Sequence, residues 1–371
     1  MDVSEGRFML KFLNRQKKGT TFKKKVDQFW HWFEDNQQQI RKALLANKPT
    51  SVSEDTLKNI DKIMPGLSWC YGPGQEEDSF TFTLSPEANR SFQFLTAFWY
   101  DSAPAIPGWT FYAARQPARD PSKFTISIGE KSYSIAEIWL VLVINEEDQK
   151  IDISAWHPHF SELDDNARYQ ILFLWLDEVL GENGTEQWIG QVDFSTEKFA
   201  EAIPLLEMKE HLDSITQQYG WEKPSPENCY SFYEISSELG DFPRSDTLRG
   251  NTCHMQLVNE FMEFGGDLPD LLSGSHADFV YVQFPASFLN TGEEIQLRDL
   301  IEQKINKALN DDESGHSIGS ASGTEYVYLD FIIFDGQQSI EAMLEGMKEC
   351  QLPEGSSINY WAAEKKEVFK I

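Results

Sequence analysis

The stretch GHSIGSASGTEYVYLDFIIFD, Gly315 to Asp335, decides how the C-terminal part of this chain is read. Three glycines and three serines occupy its first nine residues, and a run of strand-forming residues follows. Phosphate-cradling loops and tight strand connections both use small residues, and order along the chain separates the two. A Walker A loop needs G-x-x-x-x-G-K-S/T, and no lysine stands within or just after Gly315–Gly323. A dinucleotide fingerprint runs strand, glycines, helix, so that the helix N-terminus meets the pyrophosphate. Here a helical pattern precedes the glycines and a strand follows. The stretch is expected to be strand and turn.

Working outward, FVYVQF (279–284) reads as a strand. EEIQLRDLIEQKINKAL (293–309) reads as a helix with Ile295, Leu297, Leu300, Ile301, Ile305 and Leu309 facing inward. EYVYLDFIIF is a strand, Ser339–Cys350 a helix, and SINYWAA after Pro353 a strand. Counting the Gly/Ser stretch as a strand gives β-α-β-β-α-β, the ferredoxin-like order. Residues 78–115 and 324–364 share strand, helix, Pro, Gly and strand in the same sequence, which suggests a distant repeat at the level of topology.

Toward the N-terminus, Phe22, Val26, Phe29, Trp30, Phe33, Ile40 and Leu44 recur at three- and four-residue steps, a helical apolar face that Pro49 terminates. That face predicts core packing for Trp30 and its neighbours. A second helix is expected from Ser53 to Pro65. LSWCYGPGQEEDSFTFTLS reads as two strands around a Gly-Pro-Gly turn, Pro86–Ser102 as a helix and Trp109–Arg115 as a strand. WLVLVIN and KIDISAWH form a hairpin across EEDQ. ARYQILFLWLDEVLGE is expected to be a helix, apolar nearly all round and hence buried, with Gly181 just past its end. EQWIGQVDF reads as a strand and Ile203–Tyr219 as a helix, after which the chain turns polar and proline-rich.

The fold class expected is α+β, with two or more domains of antiparallel sheets covered by helices. Residues 1–25 are read as a basic flexible segment, 26–221 as an N-terminal α+β domain, 222–275 as a linker or irregular region, and 276–371 as a C-terminal ferredoxin-like domain.

Composition narrows function. The 371 residues carry 60 Asp and Glu against 32 Lys and Arg, a net charge of −28. Residues 1–26 hold eight basic and two acidic residues, so the rest of the chain carries −34. A body that negative repels phosphate backbones, which argues against nucleic acid and favours a basic protein as partner. No segment reaches the roughly 18–20 apolar residues of a membrane span, and FMLKFLN is too short for a signal-peptide core. Cys70, Cys229, Cys253 and Cys350 are scattered without a CxxC pair, which reads as reduced, mostly structural thiols in a cytoplasmic protein.

FWHWFEDN (29–36), AP-x-x-PGW (103–109) and LDEVLGE (176–182), after the opening MLKFLNRQKK, together resemble a family of uncharacterised bacterial cytoplasmic proteins. The resemblance spans roughly residues 9–200, and the eight residues before Met9 depart from the family's opening. It implies no activity, cofactor or catalytic residue. The glycine-rich strand followed by LPEGS (352–356) likewise resembles bacterial proteins with a ferredoxin-like look.

Three constellations carry possible chemistry. In WHPHF, His157 and His159 lie two apart on a strand and would share a face as zinc ligands, with Asp164 and Asp165 completing the set. Pro158 between them and the absence of HExxH or CxxC favour ordinary strand-end histidines. Asp177, Glu178 and Glu182 form a carboxylate set. On one helix 178 and 182 share a face and 177 lies about 100° away, which reads as a surface cluster at a helix end. Cys253 and His254 are chain neighbours, whereas a nucleophile and its base meet through the fold. No catalytic or cofactor-binding residue is assigned and no cofactor is expected. The reading favoured is a non-enzymatic interaction or regulatory module binding another, basic, protein. The alternative is a metal-dependent hydrolase using His157, His159 and the nearby aspartates.

Overall fold

The first described helix docks on a late part of the chain. In the computed structural model, which describes residues 19–129, 131–235, 240–289 and 294–371, the first helix, α1 (Phe22–Leu45), packs on the end of a strand formed 300 residues later. Phe22 is fully buried against Phe334, and Lys23 N donates to Phe334 O at 2.9 Å. Thr21 caps the helix and its Oγ1 donates to Asp335 at 2.6 Å. Residues 21–25 are thus anchored, which corrects the expectation of a flexible basic segment there; residues 1–18 of that segment lie outside the described residues.

Among the described residues the chain divides into two compact units. One is Leu67–Ser231, and the other is assembled from the stretches up to Gly66 and from Phe232 onward. α1 and α2 (Thr50–Ile63) therefore belong with the C-terminal sheet and not with an N-terminal domain. The periodicity of α1 showed that it had an apolar face. It held no information on which segment covers that face.

The unit Leu67–Ser231 opens with β1 (Ser68–Pro73), β2 (Phe80–Ser85), α3 (Arg90–Asp101) and β3 (Trp109–Tyr112), three strands in the order β1-β2-β3. β1 and β2 are antiparallel, while β2 and β3 run parallel with Phe80 opposite Trp109. β4 (Thr125–Ile128) and β5 (Lys131–Ser134) form a separate hairpin. The expected hairpin of β6 (Trp139–Asn145) and β7 (Lys150–Trp156) is present in antiparallel register. α4 (Asp165–Leu180), α5 (Glu182–Trp188), β8 (Ile189–Phe194), β9 (Ile203–Pro204) and α6 (Met208–Tyr219) complete the unit, with sheet order β8-β7-β6-β9. The core joins Leu140, Ile151 and Ile153 of the sheet to Leu172, Trp175 and Leu176 of α4. α4 is not buried all round: Tyr169, Phe173 and Leu174 are each about 40% exposed.

The second unit is built on one seven-stranded sheet. Its strands are β10 (Ser231–Glu234), β11 (Thr247–Thr252), β12 (Asp278–Pro285), β13 (Gly315–Gly323), β14 (Tyr326–Ile333), β15 (Ser357–Tyr360) and β16 (Val368–Lys370), in the order β10-β11-β13-β14-β12-β15-β16. Besides α1 and α2, it contains the helices α7 (Met255–Glu263), α8 (Glu294–Asp311) and α9 (Gln337–Met347). Alternation along β12 and β14 sends Val280, Val282, Val327, Leu329 and Phe331 to one face, where Ile301, Ile305, Leu309, Ile340 and Met343 of α8 and α9 cover them. Leu300, expected inward, is about half exposed, and the side chain of Ile295 lies outside the described residues.

The Gly/Ser stretch is β13, a strand paired on both sides. Ser317 sits opposite Phe331 in β14, and Gly319 sits opposite Thr252 in β11. The small residues permit close approach: a Cβ on Gly319 would stand 2.5 Å from Asn251 O, and one on Gly315 would press on Ile332 O. The partner strand that this thin edge admits comes from the same chain. It lies in the region expected to be a linker, where β10, β11 and α7 are regular elements of the sheet unit. β11 reads TLRGNT, polar and without alternation, because its partner β13 is itself made of small residues and needs no apolar row opposite.

The repeat suggested by sequence persists only as an order of elements. β2 and β3 pair directly, whereas β12 is inserted between β14 and β15.

One buried ion pair fixes the loop before β11. Arg244, fully buried and at φ 62°, pairs bidentately with Asp330 of β14, its second bond 3.2 Å long. Its guanidinium lies 4.1 Å from the Trp361 ring, 4.5 Å from Tyr328 and 4.9 Å from Tyr281. Burial opposes its charge, but Asp330 outweighs that and holds the guanidinium above its usual range. Two residues on, Asp246 accepts from Glu325 N at 2.8 Å, Tyr326 N at 3.0 Å and the Tyr328 hydroxyl.

Two stability outcomes are expected, both read by chemical denaturation. Gly319→Val overpacks the β11–β13 contact and lowers stability by about 1–3 kcal/mol. Arg244→Ala strands the Asp330 carboxylate and costs about 3–5 kcal/mol, and pairing it with Asp330→Leu recovers much of that loss. Recovery no better than additive would show that the pair does not act as a unit.

Candidate functional site

The residues with an arguable chemistry gather in the unit Leu67–Ser231, where β1, β2 and β3 meet the C-terminal end of α4. Gly181 is the determinant. It holds φ 76°, and a Cβ there would stand 2.8 Å from Pro117 Cδ. The chain breaks at this point, so Asp177 and Glu178 end α4 while Glu182 begins α5 in a new direction. Glu178 and Glu182 therefore belong to different helices and do not share a helical face.

Glu182 is buried rather than a surface residue. Its carboxylate accepts from Ser85 Oγ at 2.8 Å, Ala88 N at 2.7 Å and Arg115 N at 3.2 Å. Glu87 and Ala88 both lie in the left-handed region, at φ 51° and 58°. A carboxylate receiving an amide from that turn offsets the conformational cost of holding it. Arg115 is fixed from the other side by its own carbonyl, which accepts from Glu182 N at 3.0 Å, and Ala118 N donates to Glu178 O at 2.8 Å. Glu182 is thus the scaffold of the site.

Asp177 and Glu178 line a cleft of about 470 Å³ whose floor carries Thr81, Thr83, Thr110 and Tyr112. Arg115 Nη2 lies 3.1 Å from Glu87 and 3.7 Å from Asp177, one cation shared between two carboxylates. Burial pushes the Asp177 carboxyl up to about 6, against the opposing effects of the Thr185 hydrogen bond and Arg115. Glu178 is also raised by burial. Cys70 lines the same cleft, and desolvation pushes its thiol up, away from the reactive thiolate. The arrangement places desolvated carboxylates beside hydroxyls, surroundings in which a nearby cation would favour the charged form.

The other sequence candidates fall elsewhere. β7 ends at Trp156, and His157 turns into the core among Tyr133, Phe160 and Trp175, where burial pushes its pKa down. Its Nδ1 accepts from His159 N at 3.2 Å. His159 is half exposed beside Glu162, Asp164 caps α4 through Ala167 N, and Asp165 pairs with Arg168. Among the described residues no group of three or more His, Cys, Asp or Glu is placed to hold a metal ion. Cys253 lies 3.3 Å from Ile318 O, and His254 caps α7 by accepting from Leu257 N. Trp30 is buried as expected for core, and His31 is exposed.

No protein-family model, curated protein or solved structure matches the chain. Among the described residues no helix is long and apolar enough to cross a membrane.

The raised Asp177 has a defined stability signature. Its folded value exceeds its ordinary 3.8, so the native state binds the proton more tightly than the unfolded chain does. The penalty for ionising it builds as pH rises from about 4 to about 6 and is constant above. Asp177→Asn should therefore stabilise the protein by about 1–3 kcal/mol at neutral pH and by little near pH 4. Thermal unfolding across that range checks it, and an equal effect at both ends would contradict the burial account.

Proposed function

We propose that this protein is a non-enzymatic binding module that receives a cationic side chain of a basic protein partner in the Asp177–Glu178 cleft. The observation that carries this reading is the adjacent pair of desolvated carboxylates Asp177 and Glu178, lining one cleft, with Arg115 divided between Asp177 and Glu87. An incoming Lys or Arg would relieve the cost of keeping both charged. Exposed Tyr169, Phe173 and Leu174 extend along α4 toward the cleft and give such a partner an apolar footing. The net charge of −28 would speed its approach and disfavour polyanions.

The same reading takes residues 278–360 as a ferredoxin-like unit. The succession β12-α8-β13-β14-α9-β15, the sheet order β13-β14-β12-β15 and the two helices on one face support it. Membership of the bacterial family resembled by the N-terminal segments, and a cytoplasmic location, belong to the same proposal.

The test is calorimetric titration of the full chain with a Lys/Arg-rich peptide at low ionic strength. Binding is expected to weaken with salt and as pH falls through 6, where Asp177 takes up its proton. Asp177→Asn with Glu178→Gln should lose at least about tenfold in affinity. Glu146→Gln with Glu147→Gln removes the same charge from the exposed β6–β7 turn and should change little. Equal losses from the two double variants would reduce the effect to bulk charge and overturn the site.

A further inference from the structure

The face of the seven-stranded sheet away from α8 and α9 carries its own cleft, of about 580 Å³. Three neighbouring strands contribute to it by alternation: Tyr326 and Tyr328 from β14, Tyr281 and Gln283 from β12, and Asn359 from β15. Tyr281 and Tyr328 are buried and form the floor, with ring centroids 5.9 Å apart, and Tyr326 stands 6.4 Å beyond Tyr328 at the rim. The loop Gly240–Asp246 closes one side, held by the Arg244–Asp330 pair and by the bonds that Asp246 accepts.

The chemistry of this lining is selective. Tyrosine rings supply flat apolar faces suited to a planar ligand. Gln283 and Asn359 are diagonal neighbours across β12 and β15, and each amide carries both a donor and an acceptor; Asn359 Nδ2 donates to Ser357 Oγ at 3.0 Å, which orients its amide and leaves its oxygen and second hydrogen for a ligand. Side chains of this type read the edge of a nucleobase by paired hydrogen bonds. Charge excludes phosphate: Asp241, Asp246 and Glu325 line the cleft, and Arg244, the one cation among the described lining residues, is consumed by Asp330. The volume lies within the range of small-molecule sites.

We propose that this cleft binds an uncharged nucleoside or free nucleobase, stacked on Tyr326 and read by Gln283 and Asn359. It discriminates against the corresponding nucleotide and against single-stranded nucleic acid. The proposal is independent of the Asp177–Glu178 cleft, because the residues involved belong to different units of the chain.

The experiment is saturation-transfer NMR on the full chain with adenosine, guanosine, cytidine and uridine, followed by titration of whichever binds. At least one nucleoside should bind, and Tyr326→Ala should weaken it about tenfold or more while leaving the far-UV spectrum and melting temperature unchanged. Gln283→Ala should alter the preference among bases. The matching 5′-monophosphate and a short oligonucleotide should bind no better than the nucleoside. Absence of binding by all four nucleosides, tighter binding of the nucleotide, or indifference to Tyr326→Ala would overturn the proposal.

Discussion

The C-terminal sheet depends on a cation that water never reaches. Desolvating a guanidinium and a carboxylate together costs more than most ion pairs return, so the Arg244–Asp330 contact is a poor candidate for raw stabilisation. What it does is remove alternatives. Asp330 stands on β14 opposite Tyr281 of β12 and Gly319 of β13, so Arg244 can satisfy its charge at one place on the sheet face. Once it is there, the left-handed backbone at Arg244 turns the chain. Asp246 then meets the amides that follow the β13–β14 turn, and β11 enters beside β13 with a register shift between Thr247 and Arg249. The three aromatic rings around the guanidinium make the arrangement tolerable by replacing water with polarizable faces.

Much of this was legible in the sequence, for identifiable reasons. The strand after the glycines, the β6–β7 hairpin and the apolar faces of α1 and α8 are periodic signals, and local periodicity is what a sequence displays. The α+β class followed from them. Arg244 had no such signal: a lone arginine in a proline-rich polar region looks solvated until a carboxylate 86 residues away is placed beside it. β11 was invisible for a related reason, since a strand of polar and small residues betrays itself only through its partner. The carboxylates of the candidate site stand out in the sequence, but as one surface cluster at a helix end, whereas Glu182 is buried. Gly181 was recognised as a helix terminator, and the reversal it imposes on Glu182 was the available clue.

The two clefts illustrate how burial divides labour among similar groups. Glu182 and Asp246 are acidic, buried and saturated by backbone amides, and each holds a turn in place. Asp177 is acidic, partly buried and poorly compensated, and its proton affinity rises accordingly. Carboxylates of the first kind build a site, and one of the second kind is available to a ligand. Net charge alone, however large, does not distinguish them.

The docking of α1 on the end of β14 has a consequence for synthesis. The sheet unit is discontinuous along the chain, with Leu67–Ser231 standing between its two portions. Its first helices leave the ribosome well before their covering surface exists. About 270 residues separate Gly66 from Phe334, which corresponds to roughly 15–50 s of translation. Throughout that interval Phe22 lacks Phe334, the ring it packs against in the finished fold. The intervening unit has a continuous sequence and its own core, so it can fold while the nascent helices wait. Folding order thereby departs from chain order: the middle can mature first, and the beginning is completed only with the end.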